Sequence, residues 1–372
     1  MKIGIFTHYY LSNNYGGNLQ AYALCKVLNN LGHNAEQVCY LPWAASNESL
    51  LRKIYHKFKY KVKRIIIESK NRTVYRSLKA RKKAILGFNI NVIPHSDKVY
   101  DDQSLSKING CYDCFITGSD QVWHPDIQCS GYLLEFCNDP SKKIAYAASI
   151  ASDRIKPEAA ERLKNAVATF SHISVREIDS VEVIKNMGYE NCEWVLDPTL
   201  LLSADEWRSI SKPLKIERDY VLTYFLGDNE VSRQGAIEYA KKNNLFLVSI
   251  PFLLGEYRQC DDNYGDVQLY SVSPEQFLFL VEHADTVFTD SFHAVVFSLI
   301  FSKNFFVFNR DHTDNMTNRI HSLLNLFDLS DRFITNEKIQ DVNSKDNVNY
   351  KYSEKFEEIK KRSFDFLSDA LN

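Results

Sequence analysis

Short apolar runs alternate with helical patterns along most of this chain. Residues 2–7 form an apolar run, residues 18–31 carry apolar side chains at helical spacing, and residues 35–40 form a second apolar run. This order predicts a βαβ unit. Further buried strands are predicted at residues 114–117, 144–148, 173–175 and 194–196, with a helix over residues 157–170. The first half of the chain therefore predicts a parallel sheet covered by helices.

A second alternating set follows residue 213. It predicts strands at residues 220–226, 245–250, 287–289 and 305–308, and helices ending near 242 and spanning 274–283, 294–301, 316–326 and 354–371. Two such sets in 372 residues predict an α/β protein with two doubly wound Rossmann-like domains facing a cleft. We place the first domain at residues 1–200, the second at 201–350, and a C-terminal helix within 351–372.

Composition narrows the class of protein. A formal net charge of −2 with 25% charged residues gives no reason to expect nucleic-acid binding. The N-terminus turns polar after six residues, so it predicts neither a signal peptide nor a membrane span, and a cytoplasmic location is expected. Cys111 and Cys114 have a metal-like spacing, but Cys129 and Cys137 are spaced too widely to complete the site. No metal is therefore expected.

The segment from residue 51 to residue 83 breaks the alternating pattern. It is rich in Lys and Arg with Glu68 as its one acid, and apolar residues fall on one helical face: Leu51, Ile54, Tyr55, Phe58, Val62, Ile65 and Ile66. A basic amphipathic helix of this kind can lie on an anionic membrane surface. It can equally pack its apolar stripe on the first domain while the cations stay solvated. We treat residues of about 50–85 as a helical insertion with both alternatives open.

The most informative chemistry lies at residues 289–298. A short predicted strand is followed by Ser291, a residue favoured at helix N-caps, and then by an apolar helix. The free N–H groups of such a helix start favour a phosphate or carboxylate, and His293 would stand beside that anion. A lone histidine in a buried helix is more often structural. The pattern alone leaves both roles of His293 open.

Five motifs occur along the chain in one order: YGGNLQAYAL at 15–24, TGSDQVW at 117–123, SVRE at 174–177, VLDPT at 195–199 and DSFH at 290–293. Together they resemble the polysaccharide pyruvyl transferase family over about residues 1–335. The resemblance implies a fold like that of GT-B glycosyltransferases, in which the final helix often crosses back to the first domain. It also implies transfer of the pyruvyl group of phosphoenolpyruvate to a sugar diol, giving a pyruvate ketal in capsular, exo- or cell-wall polysaccharide synthesis.

The resemblance assigns roles to residues that bind the donor. The catalytic histidine of the family corresponds to His293, which is our candidate general acid. Ser291, at the predicted N-cap of the same helix, is a further candidate for binding the donor. An arginine that binds the donor corresponds to Arg176, for which a salt bridge to neighbouring acids is the alternative. Some relatives carry a second cation after the next strand, where Arg310 stands here; Arg319 is assigned to the following helix and is as readily a surface residue.

Other residues are candidates for the acceptor side. Asp120 could orient the acceptor or act as its base, with capping of the following turn as the alternative. Trp123 could stack on a sugar face, and Gly17 and Asn18 could let the backbone approach the acceptor closely. The glycines lack the spacing of a dinucleotide-binding loop. We therefore expect no cofactor. The resemblance implies phosphoenolpyruvate as donor and a glycan, commonly lipid-linked in this family, as acceptor.

Two rival functions remain at this stage. The first is a nucleotide-sugar glycosyltransferase of the same GT-B architecture. A Glu about eight residues after the histidine, able to bind a ribose, would favour this function. No carboxylate lies between His293 and Ser302. The second is a non-catalytic protein that binds glycans or membranes through the basic segment. Retention of both His293 and Arg176 argues against it.

Overall fold

The computed structural model describes residues 1–42, 72–152, 155–251, 258–310, 317–344, 348 and 353–372. The part of the basic segment from 51 to 71, including all seven residues of its apolar stripe, lies outside these described residues. Residues 72–83 begin a helix that runs from Arg72 to Asn91.

The N-terminal domain is built on a parallel sheet that has seven strands within the described residues. Its spatial order is β3-β2-β1-β4-β5-β6-β7. The strands are β1 Lys2–Phe6, β2 Asn34–Tyr40, β3 His95–Tyr100, β4 Cys114–Thr117, β5 Lys143–Ala148, β6 His172–Val175 and β7 Glu193–Trp194. Because all are parallel, their carboxyl ends lie at one edge of the sheet.

In the described part of this domain, four helices accompany the sheet: α1 Tyr15–Asn30, α2 Arg72–Asn91, α3 Pro157–Val167 and α4 Ile178–Asn186. Helix α1 begins after Asn14, whose side chain accepts hydrogen bonds from the N–H groups of Gly16 (2.9 Å) and Gly17 (3.4 Å). This N-cap satisfies two N–H groups that the helix itself leaves unpaired. It also fixes where the Gly16-Gly17 turn stands, at the edge of the sheet that carries the strand ends.

The C-terminal domain has a parallel sheet in the order β10-β9-β8-β11-β12-β13. Its strands are β8 Tyr220–Tyr224, β9 Phe246–Ser249, β10 Val267–Gln268, β11 Thr286–Thr289, β12 Asn304–Phe308 and β13 Phe333–Ile334. The remaining helices are α5 Ala204–Ile210, α6 Glu230–Lys242, α7 Pro274–His283, α8 Phe292–Ile300, α9 Thr317–Leu326 and α10 Glu354–Ala370. The α/β fold with two Rossmann-like domains, predicted from the alternating pattern, is thereby confirmed.

The two domains are in direct contact beside α1. The hydroxyl of Tyr15 donates to the carbonyl oxygen of Val272 at 2.7 Å, and its ring stacks on Phe277 with 5.0 Å between centroids. From α2, the buried Arg81 donates to the carbonyl oxygen of Pro251 at 2.7 Å. One apolar core runs through both domains, because Tyr15 and Phe277 belong to the same buried cluster. The start of α1 is therefore held against the C-terminal domain.

The C-terminal helix α10 packs on the N-terminal domain. Its Ser363 hydroxyl accepts a 2.9 Å hydrogen bond from the backbone N–H of Leu196, just after β7. Phe366 lies 6.1 Å from Tyr146 between ring centroids. These contacts join the end of the chain to the sheet on which it began.

Five of the described strands and helices were not predicted from the sequence, among them the seven-residue helix α5. Strands β10 and β13 have two residues each, too few to show a pattern. Strand β3 reads HSDKVY and lies at the edge of its sheet, where half of its residues are exposed. Helix α4 follows Glu177 directly and has nine residues. Edge strands need no continuous apolar run, so hydrophobic periodicity gives little signal for them.

Candidate active site

Polar residues from both domains meet where the carboxyl ends of the two sheets face each other. In the N-terminal domain they follow β4, β6 and β7, and in the C-terminal domain they follow β11. Doubly wound sheets bind ligands at these ends. The cluster contains Asp120, Arg176, Glu177, Asp197 and His293, which the sequence separates by up to 173 positions.

Arg176 lies at the centre of the cluster. Its Nη1 donates to Asp197 Oδ2 at 2.8 Å and its Nε to Glu177 Oε1 at 3.2 Å, while Nη2 stands 3.8 Å from Asp120 Oδ1. The Arg176 side chain is only 2% exposed. Burial disfavours its charge, but the three carboxylates outweigh burial and raise the pKa of Arg176 above its usual range. This geometry favours the salt-bridge alternative for Arg176 over direct donor binding.

Asp197 joins the cluster to the histidine. Its Oδ1 accepts hydrogen bonds from the backbone N–H (3.0 Å) and hydroxyl (2.7 Å) of Thr199. Its Oδ2 accepts from Ser119 Oγ at 3.1 Å and Arg176 Nη1 at 2.8 Å, and lies 3.6 Å from His293 Nε2. Burial would raise the pKa of Asp197, but His293, Arg176 and Thr199 together hold it well below its usual range. Asp197 is thus a fixed anion between Arg176 and His293.

His293 stands in the first turn of α8, against the start of α1. Ser291 occupies the N-cap position, although its side chain makes no capping hydrogen bond, and the His293 side chain is 11% exposed. A Cβ atom added to Gly16 would lie 2.1 Å from His293 Nδ1. The imidazole therefore sits between the Gly16 backbone of one domain and Asp197, with the α8 N-terminus beneath it.

The contact between Gly16 and His293 predicts an effect of Gly16→Ala on activity. Alanine favours helices over glycine by about 1 kcal/mol, so the substitution should not weaken α1. Its methyl group would displace the His293 ring, and we expect turnover to fall at least tenfold with the melting temperature nearly unchanged. The control is Gly87→Ala in α2, where the nearest atom to an added Cβ is 3.9 Å away. Equal activity of both variants would show that His293 tolerates displacement.

Asp120 faces the same space from the loop after β4. Burial raises its pKa, but Arg176, His293, His8 and Arg319 outweigh burial, and the pKa of Asp120 is lowered. Asp120 is consequently a carboxylate at neutral pH and a weak proton acceptor. Its side chain makes no capping hydrogen bond among the described residues. A role in orienting a ligand or another side chain fits it better than that of a base.

Arg319, for which the sequence leaves a surface position open, is buried. It lies at the start of α9, is 7% exposed, and its guanidinium carbon stands 5.8 Å from the ring centroid of Phe292. Within the described residues, no carboxylate oxygen lies within 4 Å of it and its Nε has no hydrogen-bond partner. Burial and the nearby Arg176 lower the pKa of Arg319 to about 10. Arg319 is a buried cation without an ion-pair partner in the described chain.

Arg319 has a polar side-chain partner, an aromatic neighbour and a small, mostly apolar cavity beside it. With its amide oriented to satisfy both partners, Gln121 accepts hydrogen bonds from Nη1 and Nη2 of Arg319, each at 3.2 Å. The ring of Phe292 lies between Arg319 and Arg176, whose guanidinium carbon is 4.7 Å from the ring centroid. A small cavity beside them is lined by Arg176, Asp197, Phe292 and Arg319.

Arg310 stands next to this cluster, at the end of β12. Its Nη2 donates to the backbone oxygen of Asp290 at 3.3 Å, and its Nε lies 3.7 Å from Asp290 Oδ2. Asp290 in turn accepts hydrogen bonds from the N–H groups of Leu226 and Gly227, each at 2.6 Å. Arg310 and Asp290 thereby tie together the loops that follow β8, β11 and β12. Arg310 follows β12, which pairs with β11, so its loop is next to the loop that leads into the helix of His293.

Two candidates for the acceptor side are placed differently from the prediction. Trp123 is fully buried and packs against Phe170 at 5.7 Å between centroids, so it cannot stack on a sugar, and that prediction is wrong. Asn18 is also fully buried, and its amide donates to the backbone oxygens of Ser12 (3.2 Å) and Asn14 (2.6 Å). Asn18 holds the loop before α1 and does not reach an acceptor.

Gly17, by contrast, remains at the site. A Cβ added to it would lie 2.7 Å from the backbone oxygen of His8 and 3.5 Å from Asp120 Oδ2. A larger residue would fill the space between these two groups. This close approach explains why glycine stands in the first turn of a helix.

Sequence reasoning missed the roles of Asp197, Glu177 and Arg319. Asp197 and Glu177 were present in the quoted motifs and follow predicted strands, which is the signal that could have identified them. No comparable feature of the sequence marks Arg319, because the apolar pattern of its helix does not show which face packs against the other domain. Among the described residues, no group of three His, Cys, Asp or Glu side chains could hold a metal ion. No helix in the described chain is long and apolar enough to cross a membrane.

Comparison with known proteins gives one family and one fold. The family model for polysaccharide pyruvyl transferase matches residues 14–312. No curated protein sequence matches the chain significantly.

Solved structures similar to this one include UDP-GlcNAc 2-epimerase from Methanocaldococcus jannaschii, with a TM-score of 0.57 and 13% identity over 99% of this chain and 100% of that one. A putative UDP-N-acetylglucosamine 2-epimerase from Listeria monocytogenes has a TM-score of 0.53 and 11% identity over 100% and 96% of the two chains. The UDP-N-acetylglucosamine 2-epimerase from Rickettsia bellii has a TM-score of 0.51 and 9% identity, over 99% and 95%. At these identities the similarity shows the shared GT-B-like fold alone.

Proposed function

Because the chain belongs to the polysaccharide pyruvyl transferase family, we propose that it transfers the pyruvyl group of phosphoenolpyruvate to two hydroxyl groups of a glycan. The product is a cyclic pyruvate ketal, and phosphate is released. The observation that best supports this proposal is the meeting of His293 with an anion, Asp197, and two buried arginines, Arg176 and Arg319, at one point between the domains. The proton donor and the two arginines thus lie around the same carboxylate, because all three lower the pKa of Asp120.

The reaction sets the requirements of the site. C3 of the donor must receive a proton so that C2 becomes electrophilic, and one sugar hydroxyl must lose a proton as it attacks C2. A second hydroxyl then displaces phosphate. The donor carries a carboxylate and a phosphate, so the site must also hold two anionic groups near the proton donor.

We assign the proton delivery to His293. A protonated imidazole is stabilised by a carboxylate close to one ring nitrogen, as Asp197 Oδ2 is to Nε2 at 3.6 Å. The contact with Gly16 fixes the other side of the ring. Arg176 holds Asp197 in place and so acts on the reaction through the carboxylate. In this scheme Arg176 is a positioning residue.

Arg319 is our candidate for the principal anion ligand of the donor. A buried guanidinium that lacks a carboxylate partner is stabilised by a bound carboxylate or phosphate, which it can grip by two parallel hydrogen bonds. The α8 N-terminus, which carries Ser291, offers further N–H groups to the same anion. Arg310 supplies positive charge at the next loop.

This assignment predicts opposite effects of Arg319→Met on binding and stability. Loss of the guanidinium should weaken phosphoenolpyruvate binding by at least tenfold in isothermal titration calorimetry. Removal of a buried unpaired charge should leave the free energy of unfolding unchanged or higher. The control is Arg233→Met, because Arg233 is buried in the same domain but paired with Asp261 at 2.9 Å. Arg233→Met should reduce stability, and unchanged donor affinity in Arg319→Met would contradict the assignment.

The overall reaction is tested by phosphate release from phosphoenolpyruvate in the presence of galactosyl and mannosyl acceptors. Release that depends on both donor and acceptor, with the mass of a ketal on the acceptor, supports the proposal. A parallel reaction with a UDP-sugar donor tests the glycosyltransferase alternative. Sugar transfer there, with no phosphate release from phosphoenolpyruvate, would refute pyruvyl transfer.

The biological setting of the reaction is also part of the proposal. We infer a lipid-linked glycan acceptor, a cytoplasmic enzyme at the inner face of the membrane, and a product that enters capsular, exo- or cell-wall polysaccharide. Binding of anionic vesicles by the basic segment, through Lys53, Lys57 and Lys61, stays a prediction. Those three residues lie outside the described part of the chain.

A further inference from the structure

A second histidine, His8, lies near Asp120, and the two side chains interact electrostatically. It stands two residues after β1, at the same edge of the sheet as Asp120, because β1 and β4 are adjacent and parallel. A hydrogen bond from Thr7 Oγ1 to the backbone oxygen of Ser119 (2.7 Å) ties the two loops together. His8 is half-buried, and its ring centroid lies 4.3 Å from that of Tyr132.

One hydrogen bond determines which ring nitrogen of His8 can accept a proton. Nε2 stands 3.2 Å from the backbone oxygen of Gln121. A carbonyl oxygen only accepts, so Nε2 carries the hydrogen and the neutral ring has its lone pair on Nδ1. Nδ1 has no hydrogen-bond partner within the described residues. The protein thus orients His8 as a base, by the same logic that a catalytic triad uses to orient its histidine.

The charges around His8 suit this role. Burial lowers the pKa of His8, although Asp120 and the Gln121 carbonyl raise it in part, so the ring is neutral at pH 7. Asp120 would stabilise the imidazolium once a proton is gained. Asp120 itself is held as a carboxylate by several cations, and its lowered pKa makes it the weaker base.

Two histidines therefore flank one carboxylate, and both influence the pKa of Asp120. The reaction proposed above needs one group that gives a proton to the donor and one that takes a proton from the acceptor. His293, beside the buried arginines, is near the proposed donor site. His8, whose backbone lies close to Gly17 and whose ring contacts Tyr132, is a proton acceptor near the same carboxylate.

We propose that His8 is the base that removes the proton from the attacking hydroxyl of the glycan, with the Gln121 carbonyl orienting its ring and the charge of Asp120 stabilising the imidazolium. This role rests on the proposed pyruvyl transfer. As the hydroxyl oxygen forms its bond to C2 of the donor, its proton passes to Nδ1 of His8, while C3 takes a proton from His293. When the second hydroxyl attacks C2, the C2–O bond to phosphate breaks and phosphate leaves with the electron pair. The proton on His8 goes to that phosphate, and the proton of the second hydroxyl restores His293.

The test compares His8→Gln with His33→Gln. Glutamine keeps an N–H donor for the Gln121 carbonyl but cannot act as a base. His33 is also half-buried with a lowered pKa, but it lies at the opposite edge of the sheet, next to Met1. We expect His8→Gln to lose about 10²- to 10⁴-fold in kcat with the acceptor, with unchanged phosphoenolpyruvate affinity by calorimetry. His33→Gln should match the unchanged protein.

A pH profile separates a base from a structural residue. In the unchanged protein, kcat/KM for the acceptor should fall on the acid side as His8 becomes protonated, and this limb should be absent in His8→Gln. The titratable groups that face His8 are Asp120, His124 and Tyr132. The pKa of Asp120 is lowered and that of Tyr132 raised, so neither titrates in this range. His124→Gln is included because burial also lowers the pKa of His124.

Each result decides the role of His8. An acid limb that persists in His8→Gln, or that disappears only in His124→Gln, would overturn it. A loss of donor affinity in a folded His8→Gln would do the same, since it would place His8 at the donor. His8→Asn replaces His8→Gln if the latter fails to fold. If the unchanged protein releases no phosphate with any acceptor, the proposed function itself is overturned. If it releases phosphate and the pH profile of His8→Gln equals that of the unchanged protein, only the role of His8 as the base is overturned.

Discussion

Replacement of His293 by alanine should reduce pyruvyl transfer by about 10²- to 10⁴-fold, the usual cost of losing a general acid. Its imidazole stands in the first turn of α8, with Nε2 3.6 Å from Asp197 Oδ2. Arg319 and the N–H groups of the helix remain in the variant, so phosphoenolpyruvate should still bind with an affinity near that of the unchanged protein. The measurements are phosphate release with a glycan acceptor and calorimetric titration with the donor.

The control for this substitution is His283→Ala in the same domain. His283 is exposed at the end of α7, where its ring stacks on Phe279 at 3.9 Å between centroids. His283→Ala should keep full activity. Near-normal turnover of His293→Ala would refute the acid role. Loss of cooperative unfolding in His293→Ala would instead support a structural role for the histidine.

Substitution of Asp197 by alanine should lower the free energy of unfolding by about 3–5 kcal/mol, the range found when one partner of a buried ion pair is removed. The Asp197 carboxylate is fully buried and accepts hydrogen bonds from Ser119, Thr199 and Arg176. Its loss leaves the guanidinium of Arg176 with less compensation in a site that excludes water. Urea unfolding at pH 7 measures the change.

An exposed ion pair provides the matched control for Asp197. Asp365 pairs with Lys361 on the surface of α10 at 2.5 Å, and both side chains are more than half exposed. Asp365→Ala should change stability by at most about 1 kcal/mol, because solvent and salt screen such pairs. If the two substitutions have equal effects, the buried cluster does not stabilise the fold in the way we infer.

The contribution of Asp197 also depends on pH in a defined direction. Its pKa is lower in the folded chain than in the unfolded chain, where a free aspartate titrates near 3.9. Its stabilisation is therefore fully present above about pH 4 to 5 and is lost as the pH falls toward the folded pKa. The difference in stability between Asp197→Ala and the unchanged protein should shrink in acid. A difference that grows below pH 4 would contradict the lowered pKa.

The two-domain fold could be predicted because its signals are local. Each buried strand is a short apolar run, and each helix repeats its apolar residues every three or four positions, as in α7 at Pro274–His283. The polar residue that ends a strand is also visible in the sequence. Because ligands bind at the carboxyl ends of parallel strands, the sequence predicts that Asp120, Arg176 and His293 lie near one another. The roles of these residues stay predictions until the variants are measured.

The sequence by itself determined which elements form and which residues stand at the strand ends. Only the tertiary structure decided how those residues are paired. Docking of the domains puts Asp197 between Arg176 and His293 and buries Arg319 with no carboxylate partner among the described residues, while the packing of the N-terminal domain buries Trp123. The physical reason is that burial and Coulomb interactions depend on distances in space between residues far apart in the chain. Periodicity describes one element at a time and contains no information about these distances.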